Sequence, residues 1–196
     1  FAVLIAWCTL AIAAALLSQV LDTGTISYRM GGWTAPAGIE YRVTIANAYI
    51  LVLVTSIASV VLPFGLGSAG SSVPDDRKYL LFAAFLLCIA GLLGITITGD
   101  VFNVFVFLEV TSLSSYALVS MGHGRRALMA AYSYLILGTI GGTFILLGIG
   151  LMYQMTGTLN AVDLAERLPE VVASRTMIVA GSRSSGASAR RSATVT

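Results

Sequence analysis

One acid stands where acids are rare. Glu109 lies near the middle of an apolar run from Val101 to Met121 that carries no other charged residue. An ionised carboxylate at bilayer depth costs about 3 kcal/mol or more unless it is compensated. Such a group must be protonated, paired with a cation, or turned toward water. A site whose proton affinity depends on a movable partner is what a proton relay requires, and ionisable groups inside a membrane mark such sites by default. The plainer use is structural, a glutamate hydrogen-bonded to neighbouring helices.

At helical spacing, Phe102, Phe105, Ser112 and Tyr116 share a face with Glu109. The hydroxyls of Ser112 and Tyr116 could bond the carboxyl or hold water, or could serve ordinary interhelical bonding. The cation that would complete the relay is absent from the apolar runs. The single lysine, Lys78, falls at a run boundary, and no Lys or Arg lies inside any run. A positive partner for Glu109 is therefore expected from residues outside this chain.

Other patterns carry less. Gly65-Leu66-Gly67-Ser68-Ala69-Gly70 spells a dinucleotide fingerprint, but it follows an apolar run rather than a strand, so that reading fails. Gly138 and Gly142 form a G-x-x-x-G pair suited to close helix packing. His123 sits in a short basic loop and has no second histidine with which to hold a haem. Cys8 and Cys88 lie singly in apolar runs and read as small packing residues. No metal site, cofactor site or nucleophile–base constellation is expected, and no enzymatic chemistry follows from this chain itself.

The elements that must position Glu109 follow from run lengths. A spanning helix needs about 20 mostly apolar residues, and five runs qualify: about 1–21, 43–64, 79–98, 101–121 and 128–153. Only helices and closed barrels satisfy the backbone in lipid, and continuous rather than alternating apolar runs select helices. The expected fold class is all-α, a polytopic transmembrane helix bundle. Gly99-Asp100 alone separates the third and fourth runs, which predicts a tight antiparallel hairpin with Asp100 and Asn103 capping the fourth helix. The connection over about 22–42 reads as an ordered loop with an interfacial Trp33, and that over about 65–78 as a Gly/Ser-rich loop ending in Asp75-Asp76-Arg77-Lys78. After the fifth run, Asn160 is placed to cap a short segment with Asp163 at its third position. Val162, Leu164 and Leu168 make that segment weakly amphipathic, fit to lie along the membrane surface. Arg77, Lys78, Arg125 and Arg126 fall on one side in short loops, which puts 65–78 and 122–127 in the cytoplasm and 22–42 and the segment after Thr156 outside.

Composition agrees. Charged residues make up 10% of the chain and hydrophobic ones 57%, far from the roughly 25% charged of soluble domains, so the lipid bilayer is the expected solvent. No basic–aromatic interleaving points to nucleic acid. The chain opens at Phe1, already apolar and without a basic leader, which fits a fragment of a longer product better than a signal peptide. From Gly181 to Thr196 it turns to Ser, Arg, Ala, Gly and Thr, a composition expected to be disordered. Met177-Ile178-Val179-Ala180 reads as the first turn of a sixth apolar helix that then stops.

The stretch Asp100-Val-Phe-Asn-Val-Phe-Val-Phe-Leu-Glu109-Val-Thr-Ser-Leu-Ser-Ser-Tyr116 resembles the glutamate-bearing helix of antiporter-like proton-translocating membrane subunits. These occur in respiratory complex I, in membrane hydrogenases and in Mrp-type multisubunit Na⁺/H⁺ antiporters. Thr156-Gly-Thr-Leu-Asn160-Ala-Val-Asp163-Leu-Ala165 is similar to the family's segment after the following helix. Gly31-Gly-Trp-Thr-Ala-Pro36-Ala-Gly38-Ile39-Glu40 resembles the corresponding loop of the Mrp-type D subunit. The resemblance spans about residues 1–180. It implies that Glu109 is a proton-relay residue, with Ser112 and Tyr116 as polar neighbours. It also implies a lysine partner on the next, broken helix, which would begin near Arg175, and a full-length protein of a dozen or more helices. The implied setting is a bacterial inner membrane, with other membrane subunits as partners and protons and Na⁺ as the transported ions. Three readings stay open: a proton-conducting fragment of a monovalent cation/proton antiporter subunit, the equivalent subunit of an NADH:quinone oxidoreductase or membrane hydrogenase, and a truncated, transport-inactive helix bundle.

The abrupt change near Ala180 is consistent with out-of-frame translation of GC-rich DNA. Reading the gene in its other frames from that codon should recover an apolar helix bearing a lysine; finding none in any frame sinks the frameshift explanation.

Overall fold

The computed structural model describes residues 1–33, 38–72, 78–122 and 124–169. Five long helices run up and down in chain order: α1 (Ala2–Thr23), α2 (Ile45–Ser72), α3 (Lys78–Ile97), α4 (Val101–Ser120) and α5 (Arg125–Thr156). All five are long and apolar enough to cross a membrane. At 1.5 Å per residue, the 20 residues of α3 or α4 cover about 30 Å, the thickness of a hydrocarbon core. The expected Asp75-Asp76-Arg77 turn, His123, the start of a sixth helix near Arg175 and the tail from Gly181 fall outside the described residues.

Neighbours in sequence are neighbours in space: α1 packs on α2, α3 on α4 and α4 on α5, with a lighter α2–α3 contact. The α1–α2 seam is built from small residues. Ala6, Ala13 and Val20 are buried at seven-residue intervals, the spacing of a left-handed helix crossing. They meet Ala48, Leu51, Thr55, Ala58 and Ser59 of α2, and Ser59 Oγ reaches across to the Ala6 carbonyl at 3.3 Å. On α3, Gly91 and Gly94 lie directly against Phe107 and Thr111 of α4. A methyl group at 91 would stand 3.0 Å from the Phe107 carbonyl oxygen and 3.0 Å from the Thr111 nitrogen, and backbone cannot step aside.

Two features depart from the expected layout. The first connection is not a plain loop: β1 (Ile26–Arg29) and β2 (Glu40–Val43) form a two-stranded antiparallel sheet, with Ile26 opposite Val43 and Arg29 opposite Glu40. The strands were hidden because each is only four residues long and the turn chemistry between them dominates the local composition. The second departure is α2, which continues through Pro63 and the glycine-rich run to Ser72 instead of ending at 64. Proline removes one amide and so frees the Ser59 carbonyl, a cost that membrane helices absorb without breaking. The G-x-G-x-x-G run is therefore helical.

The short final helix covers residues 161–169. Asn160 caps it as its sequence position suggests: Oδ1 accepts from the amides of Val162 at 3.0 Å and Asp163 at 3.3 Å. Asp100 caps α4 in the same manner, accepting from the Asn103 amide at 2.9 Å.

The glycine contacts carry a stability test. Gly91→Ala should force α3 and α4 apart and cost about 1–3 kcal/mol, as overpacking does. It should appear as a lowered thermal midpoint in detergent. Gly141→Ala, at a site with open space around it, should leave the midpoint unchanged or raise it slightly. Equal midpoints for the two variants would contradict the contact.

Candidate proton site in the α4–α5 seam

Helix α4 presents two working faces. Phe107 and Thr111 press on α3, while Phe105, Glu109 and Tyr116 turn toward α5. Glu109 is the ninth of the twenty residues of α4 and is half-buried. Its Oε1 lies directly over Gly142 of α5, so closely that a Cβ there would overlap it, and the Phe105 ring edge lies 3.7 Å from the same point. Two helical turns further along α4, the Tyr116 hydroxyl sits over Gly138 in the same way. Tyr116 also packs on Tyr134, with ring centroids 6.0 Å apart. The antiparallel pairing is regular: as α4 runs from 109 to 116, α5 runs back from 142 through 138 to 134.

The sequence-predicted residues are thus partly brought together. Glu109 and Tyr116 share the α5-facing seam, and Phe102 stacks near Phe105 with centroids 6.4 Å apart. Ser112 is half-buried on the turn between Glu109 and Tyr116, and its hydroxyl has no hydrogen-bond partner among the described residues. Ser114 and Ser115 return their hydroxyls to their own helix, at the Val110 carbonyl (2.6 Å) and the Thr111 carbonyl (2.8 Å). Among the described residues, the basic side chains of the spanning helices stand at helix starts, Lys78 on α3 and Arg125 and Arg126 on α5. None is placed at the depth of Glu109. At the Asp100 end of α4 a cleft of about 510 Å³ opens, lined by Asp100, Phe102, Asn103, Tyr153 and Leu159. It stands at the end of the α4 face that leads through Phe102 and Phe105 to Glu109.

Sequence reasoning missed a second acid. Glu40, at the start of β2, joins three segments at the sheet end of the bundle. The Ser27 hydroxyl of β1 donates to its Oε1, and Asn160 Nδ2 donates to its Oε2 at 3.2 Å. Its backbone carbonyl accepts from the Gly99 amide at 2.8 Å. Gly99 in turn accepts from the Ala161 amide at 2.8 Å, and Val101 donates to the Leu159 carbonyl at 2.9 Å. The Ser27 hydrogen bond is the main influence that holds the Glu40 carboxyl below its ordinary value of 4.5; burial is next in size and opposes it, and Asn160, Arg42 and Arg29 add smaller effects in the lowering direction. The available signal was the alternation of Glu40 and Arg42 at the edge of an apolar run, with Arg29 eleven residues earlier, which becomes informative only once the strands pair Arg29 with Glu40.

With this geometry in place, the comparisons with known proteins identify the α4–α5 region. Residues 98–187, which include all of α4 and α5, match the NADH:quinone oxidoreductase/Mrp antiporter transmembrane family. Residues 98–187 thus carry the antiporter-like transmembrane domain, and the chain is similar to subunits of two kinds of membrane complex. It is 40% identical over 181 residues to NADH-quinone oxidoreductase subunit N of Desulforudis audaxviator, a match covering 92% of this chain and 36% of that one. It is 32% identical over 168 residues to a protein described as antiporter subunit mnhD2 of Staphylococcus haemolyticus, covering 86% and 33%. Among solved structures, it superposes on a chain of the membrane-bound sulfane sulfur reductase, an archaeal respiratory membrane complex, with TM-score 0.80 and 34% identity over 87% of this chain and 34% of that one. On a chain of the Mrp complex from Dietzia sp. DQ12-45-1b the TM-score is 0.73, at 26% identity over 81% and 30%. The antiporter-like chain therefore spans about a third of the length of the relatives it matches, and its apolar helices make it an integral membrane protein.

The Glu40 junction has a pH signature. A carboxyl whose value is lowered in the fold adds stability that is present above its ordinary value and is lost as pH falls through the folded one. The thermal midpoint should therefore drop as pH is taken below about 4.5. Glu40→Gln should lower the midpoint at neutral pH and flatten that acid limb; an acid limb unchanged in the variant would remove Glu40 from the account.

Proposed function

We propose that the chain forms part of the proton-conducting membrane subunit of a multisubunit monovalent cation/proton antiporter in a bacterial plasma membrane, with Glu109 as the proton-binding group. One observation carries this reading: a lone carboxyl at mid-span of α4, set over Gly142 of α5. In a low-dielectric setting its ionisation must be matched by a positive charge. The described residues place no such charge at that depth, so the match comes from protein beyond them. Proton affinity at Glu109 is then set by the approach or withdrawal of that partner, which couples proton release to an event elsewhere in the complex. Ser112 and Tyr116 extend the polar face and give water or a proton somewhere to go. The orientation that follows puts the sheet end, with Glu40 and the cleft at Asp100, outside, and the α2–α3 and α4–α5 connections in the cytoplasm.

A second reading has its own support. The 40% identity to an NADH-quinone oxidoreductase subunit and the TM-score of 0.80 on a respiratory membrane complex fit a subunit driven by redox chemistry in its partners. In that case Glu109 keeps its role, and the oxidised and reduced groups lie in other subunits.

The complex in everted membrane vesicles separates these readings. Under the antiporter reading, an imposed Na⁺ gradient drives proton movement without respiratory substrate. Under the redox reading only electron donor does so. In either case Glu109→Gln, which keeps the shape and removes the titrating group, should reduce proton movement by about a hundredfold or more, the scale of losing an essential proton-transferring group. Normal proton movement in that variant, at normal assembly, would end both.

A further inference from the structure

The bundle uses glycines at two of its interfaces, and they do different things. On α3, Gly94 is filled by the Phe107 ring, and Gly91 first by Thr111 Oγ1 and then by the backbone of α4. That hydroxyl is already spent within its own helix, on the Phe107 carbonyl at 2.9 Å. This is close packing and nothing more. On α5, each of the two facing glycines is filled first by the polar end of an α4 side chain: the Glu109 carboxylate at Gly142 and the Tyr116 phenol at Gly138. Neither polar group makes a side-chain hydrogen bond among the described residues. Gly141, beside them on the same helix, has open space. The two occupied glycines stand one helical turn apart, and their occupants stand two turns apart on α4, so both seats lie along one seam.

We propose that Gly142 and Gly138 are positioning residues for proton translocation: each recesses α5 by one side chain, so that the Glu109 carboxyl and the Tyr116 hydroxyl lie in the α4–α5 seam rather than being pushed out of it. The inference rests on Glu109 being the proton-binding group and adds what holds it in place. A side chain at 142 occupies the volume of the carboxyl oxygen itself, and a side chain at 138 occupies that of the phenol oxygen. Either displaces the polar group by about the length of a bond or more, and misplacement by about 1 Å costs a catalytic constellation up to about a hundredfold.

Matched substitutions in the complete complex test this. Gly142→Ala should cut proton movement between about tenfold and a hundredfold. Glu109→Asp, shorter by one methylene, should restore much of the loss when combined with it, because the retracted carboxyl makes room for the new methyl. Gly138→Ala should impair assembly, and Tyr116→Phe, which removes the overlapping oxygen, should restore assembly while leaving proton movement at the level of Tyr116→Phe alone. The crossed pairs, G142A with Y116F and G138A with E109D, should show no relief. Full transport in both glycine variants, or relief by the wrong partner as readily as by the right one, would overturn the proposal. Where G142A impairs assembly, recovery of assembly by E109D but not by Y116F supports the seat, and failure of both counts against it. A second readout is independent of transport. The carboxyl stretching band assigned by infrared difference between wild type and Glu109→Gln should move in G142A and stay put in G141A; a band unmoved in G142A refutes the seat. If Glu109→Gln itself transports normally, the functional reading falls, while the infrared band still decides whether Gly142 seats the carboxyl.

Discussion

Helix α4 can carry a carboxyl at mid-span because both of its neighbours come within backbone distance. In lipid, apolar side chains gain nothing by meeting each other rather than acyl chains, so helix association relies on van der Waals contact and on polar groups that find partners. Glycine supplies the contact on both flanks of α4, Gly91 and Gly94 from α3 and Gly138 and Gly142 from α5. The α3 side fixes where α4 stands and how it is rotated. The α5 side then receives what that rotation delivers: Phe105, Glu109 and Tyr116. Were α4 turned by one residue, about 100°, the acid would face α3 or the bilayer, and the energetic cost of exposing it to hydrocarbon would fall on the fold as a whole.

Much of this was legible from residue types alone. The five helices follow from run length, because the bilayer imposes one length on every span. The caps at Asp100 and Asn160 follow from side-chain chemistry at an apolar boundary, and the structure uses both in that way. Glu109 stood out because a charge inside an apolar run has few explanations. What could not be read is what depends on contacts between distant segments. The pairing of Ser27 and Asn160 on Glu40 joins residues 13 and 120 positions apart, and nothing local to Glu40 announces it. The continuation of α2 past Pro63 ran against the usual meaning of proline and glycine, which are breakers in water and tolerated residues in lipid. The glycines at 138 and 142 looked like a packing device, and only the opposing helix shows that polar atoms fill them.

The likeness to two kinds of machine is informative in physical terms. An antiporter-type chain from Staphylococcus and a quinone-reductase-type chain from Desulforudis both align with most of this sequence. The feature shared at this level is the helix bundle, which superposes on chains of both kinds of complex. On the proposed reading, a proton-binding group that responds to a neighbouring charge is indifferent to what moves that charge, so one membrane module could serve either driving reaction.

The hydrogen bonds around Glu40 all lie at one rim of the bundle. There, β2 is tied to the α3–α4 turn, that turn to residues 159–161, and Asn47 of α2 to the Thr96 carbonyl of α3 at 2.7 Å. The four glycines that bring α3 and α5 onto α4 are spread along the helices. The bundle is laced at this mouth, like a sheaf bound near one end. Glu109 sits eight residues, or about 12 Å, inside the bound rim. The helix that carries the acid is thus anchored at its own starting end, so the depth at which the carboxyl sits is measured from a tied point.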